Sequence, residues 1–87
     1  MATLHLNQLQ VIDQIDKNLY SAAINYDGLT SRWQLLFTSE KAGMPVVFIA
    51  KQRGGTRWFK TADAALRTAA TCGFHYVRAS ISELDID

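Results

Sequence analysis

The sequence predicts an α+β domain: an antiparallel β-meander of three to four strands with two helices on one face, in the order α-β-β-β-β-α with a short final strand. Three observations lead there. Apolar residues recur at helical spacing near both ends, at Leu9, Ile12, Ile15 and Leu19 and again at Ala62, Ala65, Leu66 and Ala69. Runs that alternate apolar and polar residues fill the middle. The links between these runs are too short to hold a crossover helix, which implies antiparallel neighbours.

The elements follow in order. Asn7, with Gln10 three residues later, has the spacing of a capping box, and Leu6 before it can act as a staple. The first helix is predicted from Gln8 to Leu19. "SAAINYD" alternates, with Ala22, Ile24 and Tyr26 on one face, and "DGLTS" is a turn. "RWQLLFT" alternates again, with Trp33, Leu35 and Phe37 inward and Arg32, Gln34, Leu36 and Thr38 outward. After the loop "SEKAGMP", "VVFIAKQR" reads as a third strand, rich in β-branched and aromatic residues. Gly54-Gly55 reads as a two-residue hairpin loop, with "TRWFK" as the fourth strand. Thr61 caps a second helix with Asp63 in its first turn, and Gly73 ends it in a left-handed conformation. "HYVRASI" is the short final strand.

A two-residue tip sets a pairing: Arg53 with Thr56, Gln52 with Arg57, Lys51 with Trp58, and Ala50 with Phe59. Val46, Phe48, Ala50 and Phe59 then share the core face. Val47, Ile49, Lys51, Arg53, Trp58 and Lys60 share the other. Two helices cover one face, so the open face is predicted to carry Arg32, Leu36, Val47, Ile49, Lys51, Arg53, Trp58 and Lys60. A slip of one residue would reverse every assignment and bury Trp58.

Composition bounds the class. Eighty-seven residues, 48% of them hydrophobic, make one domain with a core, predicted over residues 1–82 with an acidic tail at 83–87. Such a short chain has a thin core, which favours a homodimer or a partner. A single cysteine, Cys72, excludes an internal disulfide and suits a cytoplasmic setting. The N-terminus lacks a signal-peptide pattern, and no apolar run is long enough to span a bilayer, so no membrane association is expected.

The net charge of +1 conceals an asymmetry. Residues 1–50 sum to −1, residues 51–82 to +5, and residues 83–87 to −3. The positive segment can attract an anionic partner, although a solvated charged face has the same composition.

Catalytic and metal chemistry lack a pattern. His5, Cys72 and His75 have no paired ligand spacing. Cys72 sits at a helix C-terminus, where the dipole raises a thiol pKa. The carboxylates form no facing pair, and "RGG" is not followed by the GK[ST] of a phosphate loop. The reading is a non-enzyme without cofactor or metal.

The stretch "GTRWFKTADAALRTAATCGF" joins a strand ending in Trp-Phe-Lys to a Thr-x-Asp-Ala-Ala-Leu helix start and a Cys-Gly-Phe stop. Over residues 54–77 it resembles small proteins carried on bacterial plasmids and integrated elements, some of them plasmid replication proteins of the RepB type. The resemblance implies DNA-linked work and assigns no functional residue. The element order is also similar to that of double-stranded-RNA-binding domains. Here, however, the helix start "KTADAALR" has only Lys60 and Arg67, and "DGLTS" does not match the GPxH loop of that family.

The expected function is a non-enzymatic, DNA-associated accessory protein of a plasmid or mobile element. Lys51, Arg53, Arg57, Lys60 and Arg32 would contact phosphates, and Trp58 would stack on a base. The alternative is a protein-interaction module, such as an inhibitor, anti-defence or regulatory protein, using the same face. Either that partner or a second copy would meet Val47, Ile49, Trp58 and Leu36.

Overall fold

The computed structural model describes residues 3–53 and 55–82. The predicted acidic tail at 83–87 and the Gly54 half of the predicted hairpin tip lie outside the described residues. Among those described, the fold is α+β: six strands in one mixed sheet and two helices. The elements are β1 (Thr3–Leu6), α1 (Gln8–Gln14), β2 (Ser21–Asp27), β3 (Arg32–Thr38), β4 (Val46–Ile49), β5 (Trp58–Phe59), α2 (Ala62–Thr71) and β6 (Val77–Ser82).

The sheet order is β1-β4-β3-β2-β6, with β5 also paired to β3. This corrects the antiparallel meander. β1 runs parallel to β4 and β6 runs parallel to β2, while β3 is antiparallel to β2, β4 and β5. Two helical crossovers produce the parallel pairs. β1-α1-β2 and β5-α2-β6 step across the sheet in the same direction, so both helices lie on one face. β1 has no counterpart in the sequence reading, because four residues beside a capping box carry too little period to register as a strand.

The local signals at the helix ends hold. The Asn7 side chain accepts from the Gln10 amide, and the Gln10 side chain accepts from the Asn7 amide, both at 2.9 Å. Thr61 Oγ1 accepts from the Ala64 amide at 3.1 Å. At the end of α2, Gly73 has φ +95, the Phe74 amide donates to the Ala69 carbonyl at 3.0 Å, and the Gly73 amide donates to Ala70 at 2.9 Å. This paired closure satisfies the last carbonyls and turns Phe74 into the core, where its ring lies 4.9 Å from that of Phe37.

Helix α1 stops at Gln14 rather than Leu19, because the chain turns extended at Ile15. Its buried side is Val11 and Ile15, while Leu9 and Ile12 face out. On α2, Ala65, Thr68 and Ala69 are buried and Leu66 faces solvent. The alanines let the helix lie close to β2 and β3.

One core lies between the helices and the sheet. Its largest fully buried side chains include Phe37, Ile24, Leu35, Ile49, Val11 and Val47, and Tyr20, Phe59 and Phe74 pack with them. Tyr20 Oη donates to the Pro45 carbonyl at 2.9 Å and ties the segment after α1 to the start of β4.

Candidate nucleic-acid interface

The connection from β4 to β5 decides which side chains reach the open face. The sequence reading placed a two-residue loop there. Instead Ala50 bridges Thr56, the Lys51 amide donates to the Gly55 carbonyl at 2.9 Å, and the Arg57 amide donates to Ile49 at 3.1 Å. The chain leaves the edge of β3 after β4, loops out, and returns to the same edge as β5 in the same direction. The pairing Lys51–Trp58 and Ala50–Phe59 does not form.

The longer loop shifts the faces of β4. Val47 pairs with Phe37, and Val47 and Ile49 are core residues with no exposed surface. Their predicted place on an exposed interface is therefore corrected. Val46 and Phe48, predicted inward, are half-buried, and Phe48 lies on the open face opposite Leu36. β5 keeps its predicted faces: Phe59 is buried and Trp58 sits opposite Gln34. Leu36 and Arg32 also stay on the open face as predicted.

The open face is a set of cross-strand rows. The central one runs His5, Phe48, Leu36, Ala23, Arg78. The next runs Trp58, Gln34, Asn25, Ser80. His5 stacks on Phe48 with ring centroids 5.6 Å apart and planes at 23°. The Arg32 guanidinium lies 4.8 Å from the Trp58 ring centroid. Ser80 Oγ donates to Asn25 Oδ1 at 3.0 Å. A shallow groove of about 290 Å³ crosses the middle, walled by Phe48, Leu36, Gln34 and Arg78.

Charge on this face is sparse, two arginines against one aspartate. Arg32 and Arg78 lie on it, and Asp27 ends β2 near the Arg32 edge. The Asp27 carboxylate is occupied by the following turn, accepting from the Leu29 amide at 3.0 Å and the Thr30 hydroxyl at 3.1 Å.

The other predicted phosphate ligands are distributed elsewhere. Lys51 and Arg53 are exposed in the looped-out segment, and Lys60 is exposed after β5. Arg57, expected as a phosphate contact of the hairpin, lies on the helix side, the face that alternation with Trp58 gives it. Its guanidinium sits 4.9 Å from the Phe59 ring centroid and donates to Gln8 Oε1 at 3.4 Å. Sequence reasoning missed His5, Phe48 and Arg78 as face residues, while Gln34 faces outward as predicted. The pairs His5–Phe48 and Ala23–Arg78 exist only because β1 and β6 join the sheet in parallel.

Among the described residues no cluster of His, Cys, Asp and Glu could hold a metal, and no helix is long and apolar enough to cross a membrane. Cys72 is buried, and burial pushes its thiol pKa up against the weaker opposing pull of Arg57 and Lys17. Comparison of the chain with family models, curated proteins and solved structures finds no match.

Proposed function

We propose that the chain is a non-enzymatic nucleic-acid-binding accessory protein that works through its open sheet face. The resemblance of residues 54–77 to plasmid and mobile-element proteins supports a DNA-linked setting. The observation that carries the reading is the pairing of flat rings with cations across one face: Trp58 beside Arg32, and Phe48 in the row that ends at Arg78. Aromatic rings on a sheet offer stacking surfaces to bases, and arginines neutralise the adjoining phosphates. Gln34 and Asn25 lie between these groups, and such amides hydrogen-bond base edges. Lys51, Arg53 and Lys60 add exposed positive charge near the same end of the sheet.

Titration of intrinsic tryptophan fluorescence with single- and double-stranded DNA and RNA, at low and moderate salt, tests the proposal. Quenching is expected, with an affinity that falls steeply as salt rises. Absence of binding to every nucleic acid at low salt would overturn it. That outcome favours the second reading, a protein-interaction module, for which the adjoining apolar side chains of Phe48 and Leu36 are the specific support.

A further inference from the structure

The loop between β4 and β5 builds a second concave site, on the helix side and away from the open sheet face. Arg57 is half-buried there. Its guanidinium is oriented from two directions, by the Phe59 ring at 4.9 Å and by Gln8 Oε1 at 3.4 Å. Neither is a carboxylate. The ion pair found among the described residues joins Arg67 to Asp63, on the exposed surface of α2. A half-buried guanidinium whose acceptor among the described residues is a neutral amide keeps donors and charge available for an anion.

The surroundings fit that role. Arg57 lines a cavity of about 440 Å³, with Lys51 and Gln52 on its loop side and Gln8 and Leu9 on its α1 side. Among the described residues, no acidic side chain lines it. Backbone hydrogen bonds pin the walls: Ala50 donates to Leu6 at 2.8 Å, Lys51 to Gly55 at 2.9 Å, and Arg57 to Ile49 at 3.1 Å. The volume lies within the usual range for small-molecule sites.

We propose that this cavity binds a small phosphate monoester. Arg57 grips two phosphate oxygens in bidentate fashion, and Lys51 neutralises the second charge. The amides of Gln8 and Gln52 accept and donate hydrogen bonds to the hydroxyl groups of the esterified part. Two cations match a phosphate dianion better than a single carboxylate. The site shares Lys51 with the proposed nucleic-acid interface, but phosphate binding at Arg57 and base stacking at Trp58 can each fail without the other.

Amide and arginine-Nε NMR spectra of the whole chain, titrated with inorganic phosphate, a nucleoside 5′-monophosphate and acetate, test this. Saturable shifts are expected at Ala50, Lys51 and Arg57 for the phosphates, with the nucleotide binding more tightly than inorganic phosphate. Arg57→Lys removes the bidentate fork and is expected to weaken binding by about tenfold. Lys51→Gln, at an exposed position, is expected to leave the melting temperature unchanged and to weaken binding severalfold. The Lys51 variant keeps the test valid if Arg57 variants fail to fold. The proposal is overturned by shifts that never saturate, by equal shifts at Arg53 and Lys60, by unchanged affinity in Lys51→Gln, or by acetate binding as tightly as phosphate.

Discussion

The exchange of faces on β4 can be measured by a pair of truncations at adjacent positions. Ile49 has no exposed surface and is among the largest fully buried side chains. Ile49→Ala removes three carbons, worth about 2.4 kcal/mol at about 0.8 per methylene. The cavity left behind adds to this, giving about 2 to 5 kcal/mol in all. A domain of this length holds about 4 to 13 kcal/mol of stability, so the loss is a large fraction of the whole. At about 4 to 8 °C per kcal/mol, melting should fall by about 10 °C or more. Phe48→Ala removes a larger side chain, yet one that is half-buried and stacked on His5. Its expected cost is about 1 to 2 kcal/mol, mostly the aromatic pair and partial burial. Urea denaturation of both variants, with unchanged m-values as the check on two-state behaviour, gives the comparison. If Phe48→Ala costs as much as Ile49→Ala or more, the looped-out connection is wrong and the open face must be reassigned.

Further outcomes follow from other positions. Trp58→Ala should weaken single-strand binding by about 1 to 3 kcal/mol while the domain stays folded, read by oligonucleotide titration together with a melting curve. Collapse of the fold instead would mean that the indole is chiefly structural. Gly73→Ala should destabilise by about 1 to 2 kcal/mol in denaturant melts, since φ +95 disfavours a side chain and the added Cβ meets the Lys17 side chain. The raised Cys72 pKa favours the protonated thiol in the folded state, so its contribution is complete below the unfolded thiol value of 9.0 and is lost as pH rises through the folded value. Stability should therefore decline above about pH 9, less so in Cys72→Ala, measured by urea melts from pH 7 to 10.5. An alkaline decline identical in the variant would assign the effect to other groups.

What the sequence by itself determined is local. The Asn7 box, the Thr61 cap and the Gly73 stop each depend on side chains within a few residues of the backbone groups they satisfy. β2, β3 and the inward set Leu35, Phe37 and Phe59 follow from alternation along single strands. Trp58, Arg32 and Leu36 kept their predicted face for the same reason. What only the tertiary structure decided is which strands meet and where the pairing breaks. Gly54-Gly55 signals a turn, but not whether Ala50 then pairs with Phe59 or, three residues earlier, with Thr56. That choice rests on Val47 and Ile49 filling the space under the helices, a volume set by residues distant in the chain. With a side-chain period of two, the shift carries Phe48 to the open face and Val47 and Ile49 to the core. The parallel partners β1 and β6 are equally non-local, since a helix and further strands lie in sequence between each of them and the strand it pairs with. His5 and Arg78 therefore become neighbours of Phe48 and Ala23 through tertiary pairing alone.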